Sequence, residues 1–175
     1  MRLAINLLNE APSSFIEHVL SAVKRCHCCV IELRCVSFGE ATGCQLWVEG
    51  NWNHIAKLET LLATLQSQTR MRMNLVRQEN EVPRPPSGLP YLLETLSSGE
   101  QDVIHEVVGF LLERKVWVED VQASRYVATY NQAPVFATRF VIIIPPEYSL
   151  LSLREEFLEF SDQLNIDAIL EPIKR

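Results

Sequence analysis

The residues best equipped for chemistry crowd into one segment, RCHCCVIELRC, residues 25–35. It carries Cys26, His27, Cys28, Cys29 and Cys35, four of the five cysteines and one of the four histidines. Thiolate and imidazole are the donors zinc prefers, and a Cys-x-x-Cys can exchange disulfides. The spacing fits neither role. Structural zinc sites use Cys-x₂₋₄-Cys with a second, distant pair. Here Cys26 and Cys28 are one residue apart, Cys28 and Cys29 are adjacent, and no paired spacing recurs around Cys44 or His54. The run Cys26-His27-Cys28-Cys29 has redox spacing, but it follows a helical pattern instead of opening one. The helix dipole there raises a thiol pKa. These cysteines are therefore expected to act as small apolar residues, packed where a helix turns into a strand.

No catalytic constellation stands out elsewhere. His18 and His105 fall beside Glu17 and Glu106 on helical patterns, which reads as a solvated face. The phosphate-loop patterns GxGxxG and GxxxxGK[ST] are absent. Glu155, Glu156 and Glu159 form an acidic helix face that reads as solubility. Trp47 and Trp52 read as core. No enzyme, metal or cofactor is expected.

The elements that position these residues come from apolar periodicity. RLAINLL reads as a strand, and Phe15, Ile16, Val19, Leu20 and Val23 recur at helical spacing. CVIELRCVSF, a turn at Gly39-Glu40 and TGCQLWVEG read as a hairpin. Asn51 reads as an N-cap for a helix bearing Ile55, Leu58, Leu62 and Leu65. TRMRMNLVR closes the half, with Met71, Met73 and Leu75 on one face and Asn74 and the arginines on the other.

The second half repeats the order: strand YLLETL, a helix through Val103, Ile104, Val107, Val108, Leu111 and Leu112, a hairpin of WVEDVQASRYVATY and PVFATRFVIII, a helix through Leu150, Leu153, Phe157, Phe160 and Leu164, and strand IDAILEPI. Ile16 matches Ile104, Val19 matches Val107 and Val30 matches Val118, each 88 residues on. Ile55, Leu58 and Leu62 match Leu150, Leu153 and Phe157 at 95. The extra seven residues are expected in the second hairpin. The halves are a duplication.

Each half is thus β-α-β-β-α-β, the ferredoxin-like plan of an α+β fold, with an antiparallel sheet carrying its helices on one face. The boundaries predicted are 1–79 and 90–175, joined by a stiff proline-rich linker over 80–89. A single such unit leaves one sheet face open, so pairing of units or chains, a homo-oligomer, is expected.

With 47% hydrophobic and 22% charged residues the 175-residue chain has globular composition, and no apolar run reaches a membrane span. The N-terminus lacks the pattern of a signal peptide, and an odd cysteine number with no leader reads as reduced thiols in a cytoplasm. Net charge is −6 and the basic residues are scattered, which disfavours direct binding to nucleic acid.

Three stretches carry a resemblance. CHCCVIELR (26–34) matches Cys-Gly-Cys-Asn-Ile-Glu-Asp-x-Arg at Cys26, Cys28 and Arg34, with Val30 for Ile and Glu32 for Asp. GNWNHIAKLETLL (50–62) matches Gly-x-Trp-Asn at a helix head, and PRPP (83–86) matches a linker. Through them the chain resembles the glycine cleavage system transcriptional repressor family, which are tandem ACT-domain proteins. The resemblance implies a non-catalytic regulator that binds a LysR-type transcriptional activator and senses glycine or another small amino acid at an interface between units. The alternative is an ACT interaction or oligomerisation module without a ligand. The family's ligand loop, Asp-Arg-Pro-Gly, aligns with Ala11, Pro12, Ser13 and Ser14, and in the second half with Gly99, Glu100, Gln101 and Asp102. Its ligand-contacting Asn aligns with Cys29 and Trp117. The amino-acid-binding residues so implied are Pro12, Ser13, Ser14, Cys29, Val30, Gln101, Asp102 and Trp117.

Overall fold

Alternation puts Leu3, Ile5 and Leu7 on one face of the first strand, where all three are buried. The rest of the first unit is built onto that face. In the computed structural model, residues 1–10, 14–69, 71–78, 87–98, 102–129 and 132–173 are described. Contacts divide the chain into Met1–Val82 and Pro83–Arg175. The first unit runs β1 (Arg2–Asn9), α1 (Ser14–Arg25), β2 (Cys29–Phe38), β3 (Ala41–Glu49), α2 (Trp52–Gln68) and β4 (Arg72–Gln78). The second runs β5 (Leu89–Ser98), α3 (Ile104–Glu113), β6 (Trp117–Val127), β7 (Pro134–Ile144), α4 (Leu150–Leu164) and β8 (Asp167–Pro172). The sheets have the orders β2-β3-β1-β4 and β6-β7-β5-β8, with every neighbour antiparallel. This is the predicted architecture: two ferredoxin-like units, each a four-stranded sheet with two helices on one face. Most of the predicted linker, including Pro83, Pro85 and Pro86, lies outside the described residues, and Leu89 already belongs to β5.

Each unit has its own core. Leu3, Ile5, Leu46 and Val48 from the first sheet meet Val19, Val23, Ile55, Leu58 and Leu62 from its helices. In the second, Leu93, Phe140 and Ile142 meet Val107, Leu111, Leu153 and Phe157.

The duplication extends to backbone detail. Cys29 faces Glu49 and Trp117 faces Ile143, so β6 is displaced by 88 residues and β7 by 94. Six of the seven extra residues therefore lie in the second hairpin. Both hairpins carry a bulge at the same place, between Val30 and Glu32 and between Val118 and Asp120. Both first helices end alike. His27 and Lys115 take left-handed φ values of 53° and 57°. Cys28 N–H donates to the Val23 carbonyl and Val116 N–H to the Leu111 carbonyl, each at 3.0 Å, closing the helix in a Schellman arrangement.

Three expectations need correction. Leu112 is 60% exposed, and Phe110 takes the buried place in α3, because this helix is apolar nearly all round and its phase is ambiguous. Arg77 lies on the helix-facing side of β4, two residues beyond Leu75, and its guanidinium pairs with Glu59 of α2. Trp52 is 61% exposed at the first position of α2, before the buried residues of that helix begin at Ile55.

Candidate functional site at the end of the first strand

Two of the three stretches that carried the resemblance, the cysteine run and the head of α2, meet at one corner. Cys26 and Cys28 are buried, and Cys28 lies where any side chain on Gly50 would strike it: a Cβ there would sit 2.9 Å from the Cys28 sulfur. Asn51 caps α2 as predicted, its Oδ1 accepting from His54 N–H at 2.8 Å. The His27 and His54 rings lie 5.7 Å apart. Burial first, then the neighbouring Cys26 and Cys29, push the Cys28 thiol pKa up, which suits packing and not nucleophilic attack. Among the described residues no three His, Cys, Asp or Glu side chains converge to hold a metal ion. Cys29 and Cys35 depart from the packed expectation and are exposed on the edge strand.

The loop end of the unit is different. β1 stops at Asn9, which is buried, and Glu10 is exposed beside it. Because β1 and β2 both run antiparallel to β3, the C-terminal end of β2 comes to the same end of the sheet. So does the β2–β3 turn, where Gly39 takes φ +57° as the first residue of a two-residue hairpin loop. An open hollow of about 640 Å³ results, lined by Glu10, Ile16, Cys35, Ser37, Gly39, Glu40 and Thr42. Ser37 and Thr42 are cross-strand partners with hydroxyls 3.5 Å apart. Cys35 faces Cys44 in the same way, and the Cys44 thiol is pushed up to about 12 by burial and by its hydrogen bond with Cys35. Two carboxylates, hydroxyls and the start of α1 at one place can bind a small zwitterion: carboxylates for an ammonium, helix N–H groups for an anion.

In the second unit the matching end reads Ser97, which is buried, then Asp102. Asp102 Oδ1 accepts from Ile104 N–H at 3.1 Å, so a carboxylate of the chain itself already occupies the head of α3. Further along the same helix layer, Arg114 donates to Glu156 at 2.6 Å and stacks 3.6 Å from the Phe110 ring centroid, while Tyr148 donates to Glu156 at 2.8 Å. Hydrogen bonds from Arg114 and Tyr148 hold the Glu156 pKa below its ordinary value. The acidic face of α4 is thus partly a structural clasp.

Of the eight residues implied by the resemblance, Pro12, Ser13 and Gln101 lie outside the described residues, as does the side chain of Ser14. Ser14 opens α1 and Asp102 stands just before α3, both at the loop end. Cys29, Val30 and Trp117 are exposed at the opposite end, paired with Glu49, Val48 and Ile143. The eight residues from Arg2 to Asn9 along β1 separate these ends by roughly 24 Å. Neither unit brings its own two groups together. Sequence reasoning missed Cys35, Ser37, Glu40 and Thr42, whose link to the loop depends on strand order.

No family model and no curated protein matches the chain. Solved structures do. The crystal structure of a "putative glycine cleavage system transcriptional repressor" is 19% identical with a TM-score of 0.75, covering 99% of this chain and 98% of that one. An unknown protein from Galdieria sulphuraria is 15% identical with a TM-score of 0.72 over the same shares. The similarity establishes a shared fold through both units.

Proposed function

We propose that the chain is a regulatory binding module of tandem ACT units that controls transcription through a partner protein, with no catalysis of its own. The observation that carries this reading is the end-to-end likeness to the repressor structure, both units included. An acidic net charge of −6 argues against holding nucleic acid directly and fits action through a protein in the cytoplasm. By the same resemblance the partner is a LysR-type activator and the ligand is glycine or a comparably small amino acid. The hollow at Glu10, Cys35, Ser37 and Glu40 supports the ligand. Its carboxylates suit an ammonium, and α1 begins beside it. Cys29, Val30 and Trp117, at the far ends of their sheets, would reach such a ligand only from another unit. A homo-oligomer would supply such a unit, and the exposed Val30, Ile31, Leu33, Val36 and Phe38 on edge strand β2 support one. For regulation the ligand must prefer either the free or the activator-bound state, since equal affinity shifts nothing.

A second reading is an interaction module that has lost its ligand. Asp102, already seated at the head of α3, favours it for the second unit.

Two measurements separate them. Calorimetric titration with glycine, alanine and serine is expected to show binding at millimolar levels or below. Co-purification from cells is expected to retain a LysR-type activator. Activator without any amino acid leaves the interaction module, and neither one removes the proposal.

A further inference from the structure

Strands β2 and β3 hold two free thiols directly opposite one another. Cys35 and Cys44 are register partners, so their side chains share a face. Opposed residues in an antiparallel pair have Cα atoms about 4.5 or 5.5 Å apart. Both values fall in the roughly 4.4–6.8 Å range over which a disulfide closes without backbone movement. The surroundings of the two thiols differ. Cys35 is exposed on the wall of the hollow, and Cys44 is buried in the core of the unit. Ala123 faces Thr138 at the matching positions of the second unit, so the thiol pair belongs to the first alone.

We propose that Cys35 and Cys44 are an oxidant-sensing pair that closes to a cross-strand disulfide when a hydroperoxide reaches the hollow. Cys35 is the thiol the oxidant meets. Its thiolate attacks one peroxide oxygen, the O–O bond breaks, and the other oxygen leaves as alkoxide or hydroxide and takes up a proton. Cys35 is then a sulfenic acid. The Cys44 sulfur attacks the sulfenic sulfur, the S–O bond breaks, and the departing hydroxide takes the Cys44 proton and leaves as water. Together the thiols lose two electrons and two protons, which reduce the peroxide. A dithiol reductant reverses the change. Transient disulfides of this kind are the ones a reducing compartment permits. The bond turns Cys35 from the hollow toward Cys44 and ties the edge strand to its neighbour. The inference does not depend on which ligand or partner the chain binds.

The sequence supplies a clean test. Trypsin cuts after Arg25, Arg34 and Lys57, so Cys35 and Cys44 fall on one peptide, 35–57, and Cys26, Cys28 and Cys29 on another, 26–34. The full chain is treated with hydrogen peroxide, its remaining thiols are alkylated, and the digest is weighed. Peptide 35–57 is expected to lose two hydrogens and refuse the alkylating reagent until dithiothreitol is added, while 26–34 stays fully alkylated. Cys35→Ser, an exposed and conservative change, is expected to fold and to abolish the loss. The proposal is overturned if 35–57 keeps an alkylatable Cys44 while Cys35 gains oxygen atoms. It is equally overturned if the bond appears within 26–34 or joins two chains.

Discussion

The two units match strand for strand but differ in what fills them. Leu7 and Cys44 oppose one another in the first sheet, and Thr95 and Thr138 take their places in the second, sharing a 2.6 Å hydrogen bond between buried hydroxyls. Leu46 is matched by Phe140, and Phe110, Phe157 and Phe160 form an aromatic cluster with ring centroids 4.7 to 5.7 Å apart. Yet the bulges and the left-handed helix ends recur at a constant displacement. Backbone plan follows the apolar phase and a few special conformations. Interior chemistry can change beneath it, provided volume is filled and each buried polar group keeps a partner.

The largest test of that statement removes core volume at matched sites. Phe140→Ala is expected to cost about 3–5 kcal/mol and Leu46→Ala about 2–5, because each leaves a cavity at a nearly inaccessible position. Hydrogen exchange in the strands of each unit reports the loss. A near-zero cost at either site would show that its core is not close-packed.

Next comes the buried hydroxyl pair. Thr138→Val strands the Thr95 hydroxyl and is expected to cost about 1–3 kcal/mol in denaturant unfolding. The double replacement Thr95→Val with Thr138→Val is expected to recover most of it, since the first unit manages with Leu7 and Cys44 there. A double variant as weak as the single would mean the hydroxyls serve something beyond each other.

The smallest effect should be equal in both units. His27 and Lys115 hold left-handed backbone that favours glycine. His27→Gly and Lys115→Gly are each expected to stabilise by about 0.5–1 kcal/mol in thermal or urea unfolding, relief of strain outweighing the chain entropy of glycine. Gain in one unit only would break the equivalence of the two helix ends.

Much of this was legible beforehand. Period-two and helical spacings locate the twelve elements of the described residues, and the Asn51 cap is readable because its side chain and the helix behind it are local. Phase failed in α3, where apolar residues on several sides left Phe110 and Leu112 indistinguishable. Residue type groups Arg77 with Arg72, whereas parity places it with Leu75 on the helix-facing side. The hollow was not legible. Glu10 and Cys35 are far apart in sequence, and only the order β2-β3-β1-β4 with antiparallel pairing brings both to one end of the sheet. Local periodicity carries no record of strand order.

Amide chemical-shift mapping of the full chain during titration with glycine tests the central claim most directly. Saturable shifts are expected at Glu10, at the start of α1 and along Cys35–Thr42, stronger than those around Asp102 and Ile104. An unchanged spectrum at millimolar glycine, alanine and serine would contradict it.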